Sequence, residues 1–138
     1  MVAFRFAPNA TATMILLMII LSVAAEDMIF SGESLTAGQF LERGPYTLVM
    51  QSDCNLVLYV NKSRALWSSQ TDRKGTACRA ELQSSGNLVV FSGGGGDVLW
   101  TSNSARGPNS YRLVVQGDGN VVIYGAAVWA TNTVQSRS

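Results

Sequence analysis

Three nonapeptides constrain this chain more than any other feature: QSDCNLVLY at Gln51–Tyr59, QSSGNLVVF at Gln83–Phe91 and QGDGNVVIY at Gln116–Tyr124. They begin 32 and then 33 residues apart, so the 138-residue chain contains an internal triplicate. A unit this short cannot bury its own apolar face; several must close around a shared core. Each repeat carries a second landmark after its nonapeptide: LWSSQT at Leu66–Thr71, LWTSNS at Leu99–Ser104 and VWATNT at Val128–Thr133. Trp67, Trp100 and Trp129 therefore hold equivalent places, and a ring that size at repeat spacing predicts a common centre around a pseudo-threefold axis.

No window shows sustained helical periodicity. Short alternations broken by Gly, Asn, Asp and Ser predict an all-β domain instead. Asp118-Gly119 between alternating apolar runs is a strong hairpin signal, and Asp53-Cys54 and Ser85-Gly86 occupy the same place. Reversal there requires an odd loop, of three or five residues, if Gln51 and Val57 are to share a face. The other parity is apolar throughout: Leu48, Met50, Leu56 and Leu58, then Leu82, Leu88 and Val90, then Leu113, Val115, Val121 and Ile123. One side of each hairpin is thus core and the other is open.

The open side of the first hairpin presents Gln51, Asp53, Asn55, Val57 and Tyr59; the third presents Gln116, Asp118, Asn120, Val122 and Tyr124. A carboxylate accepts from hydroxyls, the two amides both donate and accept, and a phenol does either. With Val as an apolar patch, the set suits the hydroxyls and C–H face of a sugar ring. Turn formation alone would account for Asp-x-Asn. It does not explain Gln and Tyr recurring outward at fixed offsets. A shallow site of this kind binds a monosaccharide near the millimolar level, about −4 kcal/mol, and repetition adds avidity.

The remaining features set the context. The opening MVAFRFAPNATATMILLMIILSVAAEDM has one Arg before an apolar run, Met14–Leu21, and small residues to Ala25, which predicts a signal peptide over 1–25 cut near Ala25 or Glu26. The run is shorter than the roughly 20 residues of a membrane span. The expected mature part, 26–138, enters an oxidising compartment and is secreted, or vacuolar after the secretory pathway. There Cys54 and Cys78 are expected to form one disulfide, since both have the inward parity. Its loop contributes roughly 3–4 kcal/mol on the chain-entropy model. A redox or metal role is the weaker alternative, because a zinc site would need two carboxylates besides the two thiols. Ten Lys and Arg against nine Asp and Glu, without a basic cluster, argue against nucleic acid. Asn61-Lys62-Ser63 is a possible N-glycosylation sequon in a turn. The tract Ser92–Asp97, SGGGGD, lacks the Lys-Ser/Thr of a phosphate loop and reads as a hairpin connection.

At these residues the chain resembles the bulb-type mannose-binding lectins of monocot plants, whose signature is QxDxNxVxY. SGESL at Ser31–Leu35, the three nonapeptides, the paired cysteines and the WATNT ending carry the likeness. The resemblance implies a β-prism of three four-stranded sheets and metal-free recognition of α-mannose without any cofactor. It assigns Asp53 and Asn55 to the axial 2-hydroxyl, Gln51 to O3, Tyr59 to O4 and Val57 to the ring carbons. Asp118, Asn120, Gln116, Tyr124 and Val122 repeat those roles. It also implies a homo-oligomer, a dimer exchanging C-terminal strands near Val128–Val134, and multivalent capture of mannose-rich glycans in plant defence. In the middle copy Ser85 replaces the carboxylate and Phe91 the phenol, so Gln83, Asn87 and Val89 are expected to be a vestige.

Other classes fare worse. A retaining glycosidase needs two carboxylates about 5 Å apart, whereas Asp53 and Asp118 lie on separate repeats. With no His in the chain, nucleophile–His catalysis is excluded. The alternative is an interaction, taste-active or storage protein on the same scaffold, since a fold does not set function.

Overall fold

The computed structural model describes residues 26–94, 96–125 and 128–136; the expected signal peptide lies outside them. The first half of the strands comprises β1 (Met28–Phe30), β2 (Ser34–Thr36), β3 (Phe40–Arg43), β4 (Tyr46–Met50), β5 (Leu56–Val60) and β6 (Arg64–Ser68). The second comprises β7 (Arg79–Leu82), β8 (Leu88–Phe91), β9 (Val98–Thr101), β10 (Arg112–Val115), β11 (Val121–Tyr124) and β12 (Trp129–Ala130). They form three antiparallel four-stranded sheets, ordered β3-β4-β5-β6, β2-β7-β8-β9 and β1-β10-β11-β12. This is the all-β domain that the short alternations predicted, in the three-sheet prism that the family resemblance implied. Each repeat supplies a hairpin and a Trp-bearing third strand. The fourth strand of each sheet comes from the N-terminal stretch Met28–Arg43, which visits all three sheets in turn.

Alternation explains the core. Leu48, Leu56, Leu58, Leu82, Leu88, Val90, Leu113, Val115, Val121 and Ile123 are each at most 1% exposed, and Met50 is fully buried. Register pairs them across the hairpins, Leu48 with Leu58, Leu82 with Leu88 and Leu113 with Ile123, so the three inner faces meet as one cluster. The indoles pack against that cluster half-buried. Their centroids stand 5.3 Å (Trp67–Trp100), 5.6 Å (Trp67–Trp129) and 5.6 Å (Trp100–Trp129) apart, all edge-to-face. That arrangement sets the positive edge of one ring against the negative face of the next. Three rings can satisfy it cyclically, which is why one Trp per repeat serves as the common centre.

Cys54 and Cys78 are joined as a disulfide with Cα atoms 5.2 Å apart, tying the tip of the first hairpin to the segment before β7. The glycine tract from Ser92 connects β8 to β9, with Ser92 N–H donating to Asp97 C=O at 2.8 Å. Asn61 is exposed in the turn between β5 and β6, where its N–H donates to Pro45 C=O. In the C-terminal segment, β12 pairs with β11 of the same chain, Ala130 opposite Val122 and Trp129 opposite Ile123. Among the described residues no helix is long and apolar enough to cross a membrane, and no group of three or more His, Cys, Asp or Glu is placed to hold a metal ion.

Candidate functional site

The three nonapeptides close their hairpins identically. Gln51, Gln83 and Gln116 donate their N–H to the C=O of Asn55, Asn87 and Asn120 at 2.9, 2.9 and 2.8 Å. The N–H of Cys54, Gly86 and Gly119 returns to the same Gln carbonyls at 3.1, 3.0 and 3.1 Å. These bonds enclose three residues, the shorter of the two odd loops that parity allowed. Such a loop needs its last residue in the left-handed region; φ is 91° at Gly86 and 89° at Gly119. Gly119 is also sterically required, since a Cβ there would lie 2.9–3.0 Å from Gln135, Thr133 and Tyr46. In the first copy Cys54 takes this conformation at φ 77°, a cost accepted for the cross-link. A strap from after the Trp strand crosses each tip: Arg73, Arg106 and Gln135 donate their N–H to the C=O of Asp53, Ser85 and Asp118 at 2.6, 2.8 and 2.7 Å.

On this frame the polar side chains are oriented by one another. Asp53 Oδ1 accepts from Asn55 N–H at 2.9 Å, and Asp118 Oδ1 from Asn120 N–H at 3.0 Å. Both carboxylates are exposed, and their second oxygens make no hydrogen bond within the described residues. Asn55 Oδ1 accepts from Thr71 N–H at 3.1 Å and Ser69 Oγ at 3.3 Å; Asn120 Oδ1 accepts from Thr133 N–H at 3.2 Å and Thr131 Oγ1 at 3.0 Å. A backbone N–H can only donate, so each Asn must turn its oxygen inward and leave its Nδ2 hydrogens to donate outward. The site therefore sets a charged acceptor beside a donor. One ligand hydroxyl can accept from Asn and donate to Asp at once, and charge assistance makes the second bond the stronger.

The other half is the Gln–Tyr pair. Gln51 Nε2 donates to Tyr59 Oη at 2.6 Å, and Gln116 Nε2 donates to Tyr124 Oη. All five predicted residues of each set thus lie on one hairpin face. Val57 and Val122 do so too, but they are only 2% and 5% exposed. They form the floor between the two polar halves and offer a ligand a sliver of methyl surface, less than the open patch that alternation suggested.

The middle copy is an internal control. Its hairpin closes with the same backbone bonds, and Asn87 Oδ1 is held by Ser104 N–H at 3.2 Å and by Thr101 and Ser102 hydroxyls at 2.8 and 3.1 Å. Ser85, where the carboxylate would be, makes no side-chain hydrogen bond among the described residues. Phe91 has no hydroxyl for Gln83, and the Arg79 guanidinium lies 4.5 Å over its ring. The turn thus survives without Asp or Tyr, so turn-making is not the reason the other two copies have them.

Sequence reasoning missed the residues that hold the Asn side chains. Ser69 and Thr71, Ser102 and Ser104, and Thr131 and Thr133 form hydroxyl pairs 2.7, 2.6 and 2.7 Å apart, each anchored to the loop carbonyl of Cys54, Gly86 or Gly119. The signal was present: each Trp is followed by a hydroxyl residue two and four places on, on the same strand parity.

Three four-stranded sheets about a tryptophan centre, with polar three-residue hairpin tips turned outward, define a β-prism of the lectin type. No protein-family model matches the chain. Solved structures do. A monomeric monocot mannose-binding lectin from Gastrodia elata is 44% identical with a TM-score of 0.75, the match covering 80% of this chain and 100% of that one. The snowdrop (Galanthus nivalis) mannose-specific agglutinin, solved with methyl α-D-mannoside, is 38% identical with a TM-score of 0.70 over the same shares, 80% and 100%. The chain belongs to the monocot mannose-binding lectin family. Among curated sequences, Curculin-2 of Molineria latifolia is 45% identical over 67 residues, which is 49% of this chain and 42% of the relative. The chain spans about half the length of the curated relatives it matches.

Proposed function

We propose that this protein is a lectin that binds α-mannose and mannose-rich glycans at two sites per chain, one at each intact hairpin, without a metal and without catalysis. The observation that carries this is the contrast between hairpins of identical backbone. The first and third keep a carboxylate and a Gln–Tyr pair that the middle one shows to be unnecessary for folding. Asp53 and Asn55 would share one sugar hydroxyl as acceptor and donor, with Gln51 and Tyr59 on the next two and Val57 beneath the ring. Gln116, Asp118, Asn120, Val122 and Tyr124 would act alike. Gln83, Asn87 and Val89 would contribute no useful site, since loss of the charged acceptor alone removes about 1.5–3 kcal/mol.

Each site is shallow, so useful affinity comes from engaging two glycan branches, or a surface dense in them. Such capture fits a secreted or vacuolar protein acting in defence, delivered by the segment 1–25, with Asn61 open to glycosylation. The test is retention on immobilised mannose and release by free methyl α-mannoside. Failure to bind, or release by unrelated sugars equally well, would overturn the reading.

A further inference from the structure

Each hairpin tip is pinned by a residue of the next repeat. Tyr46, Cys78 and Tyr111 each stand five places before the Gln that opens a nonapeptide, Tyr46 as the first residue of β4, Cys78 just before β7 and Tyr111 just before β10. All three are buried. Each meets the third loop residue of the preceding repeat: Cys78 is bonded to Cys54, Tyr111 lies against Gly86, and Tyr46 closes the cycle against Gly119. The two tyrosine corners leave no room for a side chain on the tip. A Cβ on Gly86 would stand 2.9 Å from the Tyr111 ring, and one on Gly119 would stand 3.0 Å from the Tyr46 ring. At the remaining corner no ring is present, and the Cβ that a ring would exclude carries the cross-link. Glycine with a ring, and cysteine with a cysteine, are thus alternative ways to fill one corner.

Resting on the mannose reading of the two intact hairpins, we propose that these corners are positioning elements for the sugar sites, each acting across a repeat boundary. Tyr46 of the first repeat holds the site of the third hairpin, and Cys78 of the second repeat, through its disulfide, holds the site of the first. The pinned residue lies between the two groups assigned to one ligand hydroxyl, Asp118 and Asn120 or Asp53 and Asn55. Its N–H donates to the Gln carbonyl, at 3.1 Å for both Cys54 and Gly119, and its C=O accepts from the hydroxyl of Thr71 or Thr133. A shift of this residue therefore moves carboxylate and amide relative to each other. It is also the residue with most reason to shift. Gly119 has no side chain to restrict it, and Cys54 at φ 77° holds a conformation unfavourable to any residue with a Cβ. The ring and the disulfide each remove that freedom before a sugar arrives, which leaves less ordering to be done during a weak binding step. Tyr46 reaches Gly119 through its ring carbon Cε1, and the strap residues Thr133 and Gln135 hold Gly119 as well.

The test titrates methyl α-mannoside by NMR, with the backbone amides of Asn55 and Asn120 reporting the two sites separately in one molecule. Tyr46→Ala should weaken the binding read at Asn120 roughly 3- to 10-fold, less than the cost of ordering one fully freed residue because the strap remains. It should leave the binding read at Asn55 unchanged, although β4, which carries Tyr46, pairs with β5 of the first site's own hairpin. Tyr46→Phe keeps the ring and should bind as the parent does at both sites. Cys54→Gly with Cys78→Ala should weaken Asn55 by a similar factor and spare Asn120. Cys54→Gly with Cys78→Tyr, which transfers the third hairpin's corner to the first, should recover the affinity at Asn55. Equal losses at both amides, a loss at Asn55 in Tyr46→Ala, or parent-like binding at Asn120 in that variant overturns the positioning role. So does a Cys54→Gly, Cys78→Tyr pair that recovers nothing over Cys54→Gly, Cys78→Ala, and this comparison decides alone if Tyr46→Ala does not fold. If methyl α-mannoside shifts neither amide in the parent, the mannose reading fails and the corners lose this role with it.

Discussion

The middle hairpin supplies the design for a sharp perturbation: Asp53→Ser and Asp118→Ser convert each intact loop to the sequence type that repeat two already folds. On the stability side, each change removes the bond from Asn55 or Asn120 N–H to the carboxylate, at 2.9 and 3.0 Å. An exposed bond of this kind contributes about 0.5–1.5 kcal/mol. The closing backbone bonds, the strap to the loop carbonyl and the hydroxyl pair all remain, as they do around Ser85. The loops should therefore keep their form. On the binding side, the ligand hydroxyl loses its charged acceptor while Asn still donates. That loss is about 1.5–3 kcal/mol, or roughly 10- to 150-fold in Kd. From a site near 1 mM on the scale set by about −4 kcal/mol, each single variant has one working site, and the double variant has none of practical use. Calorimetry with methyl α-mannoside should give a stoichiometry of two for the parent, one for each single variant and no measurable heat for the double, with melting curves close together. Undiminished binding by the double variant would refute the site assignment. Loss of binding accompanied by unfolding would refute the inference that Asp serves the ligand more than the turn.

Other perturbations test other levels of the account. Replacing the disulfide by Cys54→Gly with Cys78→Ala removes a cross-link of sequence separation 24, about 3.5 kcal/mol on the loop-entropy model, and returns about 1–2 kcal/mol by relieving the left-handed Cys54. The net loss of about 2 kcal/mol should appear as a lower urea midpoint, and a gain in stability would contradict it. Trp100→Ala opens the edge-to-face trio and should cost about 3–5 kcal/mol; a variant melting within a few degrees of the parent would show that the indoles are not the shared centre. Retention on mannose resin should be the same with and without EDTA, because each site has a single carboxylate and, among the described residues, no group of three or more His, Cys, Asp or Glu is placed to hold a metal ion. A chelator-sensitive column would require a cation in the site.

Much was legible because strands have a period of two. Parity alone separated Leu48, Met50, Leu56 and Leu58 from Gln51, Asp53, Asn55 and Tyr59, and it limited the loop to an odd length. The repeat spacing brought Trp67, Trp100 and Trp129 together before any coordinates did. Parity was silent on how far a side chain stands clear of its neighbours. Val57 is on the expected face yet almost covered, because cross-strand Val49 and Ser68 flank it in register. The Ser and Thr residues after each Trp looked like ordinary strand polarity. Their role depends on where the third strand lies against the hairpin tip, a relation between segments 11 to 18 residues apart.

The amino-acid sequence by itself determined the number of repeats, the inner and outer faces, the two complete copies of the polar motif and the damaged third, because each depends on local periodicity and residue type. Only the tertiary structure decided that the N-terminal stretch lends one strand to every sheet, that β12 pairs with β11 of the same chain, which way each Asn presents its amide, and that each hairpin tip meets a residue of the next repeat. The physical reason is the same in each case: these features rest on pairings between distant segments, and no local pattern encodes which edge a strand will find or what will stand across from it.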